Sequence, residues 1–179
     1  MPHSIAPATL LSDHLQLLLA LPMSNGVLDL ACGTGRNGIF LASYKIPVVF
    51  ADINAVALQD VQVRLQSDGL MGNCWHVDLE QSGINVLDEK RFDCILVFNY
   101  LHRALLPAIK AAIRPGGLVF YETFTVLQRQ FGRPSNPDFL LLPDELGLCF
   151  NDWEVLHYYE GELQKPDRAV AQLIARKPM

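Results

Sequence analysis

The sequence predicts an α/β domain built on a mostly parallel sheet, and three observations carry that reading. Short apolar runs alternate with helical patterns along the chain. Phe92–Phe98 (FDCILVF) is a near-continuous apolar run, the mark of a central strand covered on both faces. A glycine turn, Gly33-Thr34-Gly35, lies directly between a strand pattern and a helix pattern. The 179 residues suffice for one full-sized core, so a single domain over 1–179 is expected.

The elements follow in order. An N-terminal helical segment occupies 1–22, with a helix at Leu11–Leu21 stopped by Pro22. The first strand is Gly26–Ala31, and the glycine turn opens a helix at Arg36–Ser43. The second strand, Pro47–Ile53, is rich in β-branched and aromatic residues. Asn54 has the character of an N-cap, and Leu58, Val61 and Leu65 then share one helical face as far as a stop at Gly69. Asn73–Val77 is a short third strand and Phe92–Phe98 the fourth.

Leu105–Arg114 reads as a helix with Pro107 in its first turn, and Pro115-Gly116-Gly117 turns the chain into a fifth strand, Leu118–Phe124. Thr123–Leu142 shows little periodicity and holds Gly132, Pro134 and Pro137, which makes it a candidate substrate lid. A short helix near Asp144–Cys149 comes next. Two strands, Trp153–Tyr159 and Arg168–Arg176, joined by a turn at Gly161–Asp167, close the chain as an antiparallel hairpin at a sheet edge.

Composition narrows the function classes. Half the residues are apolar and 18% are charged, as in an ordinary globular protein. No apolar run approaches the roughly 20 residues of a bilayer span, so no membrane partner is expected. The N-terminus lacks a positively charged stretch and interrupts its apolar run with Asp13 and His14, which argues against a secretory signal. Cys32, Cys74, Cys94 and Cys149 form no C-x-x-C pair; free thiols, no metal site and a cytoplasmic location are expected. A net charge of −5 weighs against nucleic-acid partners.

Gly33, Gly35 and Gly38 spell G-x-G-x-x-G, a pattern that serves several nucleotide-like ligands. In an open α/β sheet the ligand sits at the carboxyl ends of the strands, where this turn belongs. Gly33 and Gly35 would let backbone approach a ligand that a Cβ would push away. Asp52, at the end of the second strand, is placed to accept hydrogen bonds from two ribose hydroxyls. Up to this point NAD and S-adenosylmethionine are equally served. Two features separate them. The closing hairpin stands where a nicotinamide site needs a second βαβ half. Asp29, inside the first strand, is poorly placed for a pyrophosphate but well placed for the ammonium of a methionine moiety.

With those motifs in view, "VLDLACGTGRNGIFLA", "VVFADIN", "HVDLE", "FDCILVFNYLHR" and "RPGGLVFYETF" resemble the ordered motifs of class I S-adenosylmethionine-dependent methyltransferases. "NYLHR", "YETF" and "FGRPSNPDFLL" are similar to the small bacterial tellurite-resistance-like subgroup. The resemblance implies a Rossmann-like three-layer sandwich with seven strands in the order 3-2-1-4-5-7-6 and an antiparallel strand seven. It also implies methyl transfer from S-adenosyl-L-methionine to a small-molecule acceptor, leaving S-adenosyl-L-homocysteine. A non-catalytic S-adenosylmethionine-binding domain and, less favoured, a nicotinamide oxidoreductase are the alternatives.

The expected cofactor residues are Asp29, Ala31, Gly33, Gly35, Asp52, Ile53, Asp78, Leu79 and Asn99, with Asp78 and Leu79 at the adenine edge by family resemblance. Gly38 is read as a packing residue of the first helix of the sheet, and Cys32 as a small, unreactive loop residue. His102, just past the fourth strand, has a ring suited to general-base work. Glu122 and Tyr121 lie at the end of the fifth strand and point to opposite faces, so one of them is expected to face the acceptor. Arg129 and Arg133 in the long loop are candidates for gripping an anionic acceptor.

Overall fold

The computed structural model describes residues 6–179. The first five residues of the predicted N-terminal helical segment fall outside the described residues. Seven strands form one sheet: β1 (Val27–Leu30), β2 (Val48–Asp52), β3 (Asn73–His76), β4 (Phe92–Phe98), β5 (Ile113–Phe124), β6 (Glu154–Leu163) and β7 (Arg168–Arg176). Their order is β3-β2-β1-β4-β5-β7-β6. Strands β1 to β5 pair in parallel, whereas β7 runs antiparallel to both β5 and β6. This is the order and the antiparallel strand that the resemblance implies.

Each face of the sheet has its own apolar layer. Val27, Phe50 and Leu96 pack against α1 (Thr9–Asp13), α2 (Leu15–Leu19), α3 (Arg36–Ser43) and α4 (Ala55–Ser67). Leu28, Ile95 and Tyr121 pack on the other side with α5 (Leu106–Ala112) and α6 (Glu145–Cys149). β4 lies between these layers and is buried at every position, which is why its sequence shows no alternation. The Asn54 carboxamide accepts from the amides of Val56 and Ala57 and starts α4 as its sequence predicts.

Four boundaries differ clearly from the sequence reading. The helix expected at Leu11–Leu21 is two short helices, α1 and α2, broken at His14. There the His14 ring takes the Leu10 carbonyl at 3.0 Å and packs on His157 at a centroid distance of 4.8 Å, competing with the backbone for its acceptor. The helix expected at Leu105–Arg114 starts with a 3₁₀ turn at Arg103–Leu105 and ends at Ala112. Pro115-Gly116-Gly117 is then a bulge inside β5, not a turn before it. Ile113 already pairs with Phe92, and regular pairing resumes at Cys94 with Leu118. A Cβ on Gly117 would lie 2.7 Å from the Asp93 carbonyl oxygen, so only glycine allows this close approach. The final hairpin is longer than expected: β6 reaches Leu163, leaving a turn of residues 164–167.

The glycines of the opening motif have distinct tasks. A Cβ on Gly38 would sit 2.3 Å from Phe50 Cε1, so Gly38 is a packing residue, as read. One on Gly35 would meet Val61 Cγ2 at 2.8 Å, and Gly35 is the left-handed N-cap of α3. Within the fold itself its need for glycine comes from packing and conformation. Gly33 alone faces open space, with nothing within 4 Å of an added Cβ.

Candidate active site

The carboxyl ends of the adjacent strands β1 and β4 concentrate left-handed backbone: Ala31 (φ 53°), Gly33 (54°), Gly35 (72°) and Asn99 (56°). For Ala31 and Asn99 this conformation costs roughly 1 kcal/mol or more each, a cost that persists only where surrounding structure enforces it. Asp52 is one enforcing group. Its Oδ2 accepts the Gly33 amide at 2.7 Å and its Oδ1 the Asn54 amide at 2.8 Å, which ties the glycine loop to the end of β2. The Asn99 amide donates to the Glu122 carbonyl at 2.8 Å, holding the end of β4 against β5.

Beside this loop lies a cleft of about 530 Å³. It brings together Ala31, Asp52, Ile53, Asp78 and Leu79, five of the nine expected cofactor residues, with Tyr100 and Glu80 closing it. Ile53 is 61% exposed at its edge, an apolar side chain with no apolar cover. Asp78 accepts the Glu80 amide at 2.9 Å and turns the chain away after β3. These residues fit S-adenosylmethionine: the Asp52 carboxylate can accept from hydroxyls, Ile53 offers an exposed apolar edge and Gly33 leaves open space.

Asp29 lies beneath the loop, 3% exposed, and accepts the Gly38 amide at 2.8 Å. Burial pushes its carboxyl up to about 7, although the Gly38 amide and the Arg36 guanidinium favour the carboxylate. The Cys32 thiol is pushed well above its ordinary range by burial and by the charges of Asp29 and Asp52. It is no thiolate nucleophile at neutral pH.

A second cleft of about 640 Å³ adjoins the first and shares Glu80 and Tyr100 with it. Asn99 and Leu101 from the end of β4, Phe124 from β5 and Arg133, Pro134 and Phe139 from the long loop line it. The Tyr100 hydroxyl is buried without a hydrogen-bond partner among the described residues, and burial with the nearby Glu80 carboxylate keeps it protonated.

The three candidate catalytic side chains do not converge. Tyr121 is fully buried on the α5 face, where its hydroxyl donates to the Tyr100 carbonyl at 3.1 Å. Glu122 points to the opposite face and accepts from Gln172 Nε2 at 2.6 Å and Arg168 Nη2 at 3.3 Å. His102 lines a third cleft with residues 79–85, which shares Leu79 and Glu80 with the cofactor cleft, and its ring makes no hydrogen bond among the described residues. Arg133 lines the second cleft; Arg129 is exposed on the loop surface.

The long loop is more tightly tethered than its sequence suggests. Arg103 forks onto both Glu145 carboxylate oxygens at 2.6 and 2.8 Å and reaches the carbonyls of Asp138 and Leu140. Thr125 and Leu141 bridge the two loop ends. Buried Gln128 accepts the Ala169 amide at 2.9 Å and donates to the Arg133 carbonyl at 3.1 Å. Gln130 also donates to Glu162 at 2.7 Å, so the segment Thr123–Leu142 is anchored along much of its length. Sequence reading missed Glu80 and Tyr100 at the seam, although Tyr100 follows Asn99 at the end of the central strand. It missed Arg103 and Gln128 because their partners lie far away along the chain.

A family model described as a methyltransferase domain matches residues 27–117, just over half of the chain. The chain belongs to the class I S-adenosylmethionine-dependent methyltransferases. It is 27% identical over 166 residues to the probable S-adenosyl-L-methionine-dependent methyltransferase TehB of Haemophilus influenzae strain Rd, covering 84% of this chain and 57% of the relative. The crystal structure of TehB from that species superposes with a TM-score of 0.73 at 24% identity, covering 92% of this chain and 62% of that one. A ribosomal RNA small subunit methyltransferase C of Hamiltonella defensa is 36% identical over 108 residues, which are 58% of this chain and 31% of the relative. Magnesium protoporphyrin IX methyltransferase from Synechocystis, solved with S-adenosylhomocysteine bound, has the same fold at a TM-score of 0.70 and 17% identity, over 94% of this chain and 82% of that one. The methyltransferase therefore spans little more than half the length of its TehB relative. Among the described residues no helix is long and apolar enough to cross a membrane.

Proposed function

We propose that this methyltransferase moves the methyl group of S-adenosylmethionine to a small-molecule nucleophile. The observation that carries the reading is the pair of clefts meeting at Glu80 and Tyr100: one has carboxylate acceptors and apolar side chains for the cofactor's adenosine, and the other has room for an acceptor molecule. Bound in the first cleft, the cofactor supplies an activated methyl on a sulfonium. Asp52 would hold its ribose, Ile53 and Leu79 would sandwich the adenine, Asp78 would meet the adenine edge, and Gly33 and Asn99 would line the methionine end. The protein's main contribution is then alignment of nucleophile and methyl group. Tyr121 and Glu122 are already hydrogen-bonded within the protein, which favours an acceptor that is already ionised near neutral pH. The −5 charge supports a small molecule over an RNA, and the four free cysteines fit the cytoplasm. The test is S-adenosylhomocysteine formation over a panel of thiols, carboxylates, oxyanions and phenols; binding without any turnover would favour a non-catalytic domain.

Asp29 makes binding depend on pH. Its folded-state carboxyl near 7 lies above its unfolded value of 3.8, so the folded protein holds that proton more tightly. Its contribution to stability in the free protein is present at low pH and lost as pH rises through about 7. Pairing with the methionine ammonium requires the carboxylate. S-adenosylmethionine affinity is therefore expected to rise roughly tenfold from pH 6 to pH 8. Asp29→Asn should flatten the profile in calorimetry, and an unchanged profile would take Asp29 out of this role.

The loop gives a second expected result. Replacing residues 129–136 by a short Gly-Ser link, which removes Arg129 and Arg133, should lower turnover about tenfold or more, the scale of one charge-assisted hydrogen bond to the acceptor. S-adenosylhomocysteine affinity should stay within a few fold. Unchanged turnover of the same acceptor would end the lid assignment.

A further inference from the structure

We propose that the acceptor is a ring-sized apolar molecule that carries an anionic group, held by Arg133, and a readily ionised nucleophile such as a thiol; this rests on the methyl-transfer reading above. Size is the first argument. A cleft of about 640 Å³ lies within the range that encloses drug-sized ligands, far beyond an oxyanion of four or five atoms.

Lining is the second. Leu101, Phe124, Pro134 and Phe139 are half of the lining residues, and Phe139 stays 47% exposed. A small inorganic anion would gain nothing from these side chains and would lose hydration against them. An aromatic or alicyclic body would bury them.

Charge is the third. Glu80, at the seam with the cofactor cleft, and Arg133, on the loop side, are the two charged groups of the lining. Arg133 has no carboxylate partner among the described residues, so its guanidinium is open to a ligand. Its backbone is not adrift: buried Gln128 ties the Arg133 carbonyl to the Ala169 amide of β7. An anionic group is drawn to Arg133 and repelled from Glu80. The opposite end of the same molecule then faces the seam, where a thiolate is drawn to the positive charge of the cofactor's sulfonium, which offsets Glu80. For a thiol acceptor the proton has already passed to solvent. The thiolate lone pair forms the new S–C bond while the methyl–sulfonium bond breaks and its electron pair returns to the cofactor sulfur, leaving two neutral thioethers.

The experiment uses 4-mercaptobenzoate, thiophenol and selenite as acceptors with the full chain. Wild type is expected to show kcat/KM for 4-mercaptobenzoate roughly tenfold above thiophenol, and no S-adenosylhomocysteine formation from selenite. Arg133→Glu should erase that preference, and Arg133→Lys should keep part of it. In calorimetry, 4-mercaptobenzoate should bind the S-adenosylhomocysteine-loaded wild type saturably and Arg133→Glu about tenfold more weakly. A preference that survives Arg133→Glu, turnover of selenite above the aromatic thiols, or no saturable binding of 4-mercaptobenzoate would each overturn the proposal. Failure of wild type to bind S-adenosylhomocysteine at all would instead overturn the methyl-transfer reading itself.

Discussion

Asp52→Ala is expected to weaken S-adenosylhomocysteine binding roughly a hundredfold, since two hydrogen bonds from ribose hydroxyls to a carboxylate contribute about 1.5 kcal/mol or more each. Part of the loss comes through the protein. Asp52 also accepts the Gly33 amide at 2.7 Å, so its removal frees the loop whose left-handed residues shape the site. Asp52→Asn keeps the size and one acceptor oxygen but turns an N–H toward either a ribose hydroxyl or the Gly33 amide. It should fall between wild type and alanine. Calorimetry measures both variants, and an affinity within twofold of wild type for Asp52→Ala would remove this residue from the cofactor site.

The largest stability effect is expected at the other end of the sheet. Asp93, at the start of β4, is fully buried. Its Oδ2 accepts the amides of Asn25 at 2.6 Å and Gly26 at 2.8 Å, and its Oδ1 pairs with the Arg114 guanidinium from the bulge in β5. Arg114 also donates to the carbonyls of Pro22 and Pro115, which staples the entry to β1, the start of β4 and the bulge together. Arg114→Ala leaves a buried carboxylate without its counter-charge. The cost should be about 3 kcal/mol, the low end for such a break because the guanidinium keeps one edge in water. Urea unfolding measures it, and a loss under about 0.5 kcal/mol would show that the backbone amides alone satisfy Asp93. Because this network lies at the amino ends of the strands, cofactor affinity at temperatures well below unfolding should not change.

These two sites show where local sequence information ends. The glycine turn, the N-cap at Asn54, the near-continuous apolar run of β4 and the closing β7 were legible because each depends on residues close together in the chain. The same holds for Gly38, whose spacing from Gly33 places it inside α3. Period, capping and turn chemistry are properties of short windows, and a window carries them whatever the rest of the protein does. The ordered motifs extended this to the strand order and to the family, since each motif marks the end of a particular strand.

What lay outside the sequence depends on pairs of residues far apart in the chain. His14 breaks the first helix at the point where His157 packs on it. The Pro-Gly-Gly segment becomes a bulge because Ile113 finds Phe92 before the segment begins. Glu122 looks like a side chain that could face the acceptor from the end of a strand, but in the fold Gln172 and Arg168 from β7 take up its oxygens. The long loop reads as loose because its anchors, Arg103 and the Ala169 amide, belong to other elements. The sequence by itself determined the sheet, its connections and the glycine loop beside Asp52. Only the tertiary structure decided which polar groups remain free to meet a ligand, because a hydrogen bond already made within the protein is invisible until both partners have a place.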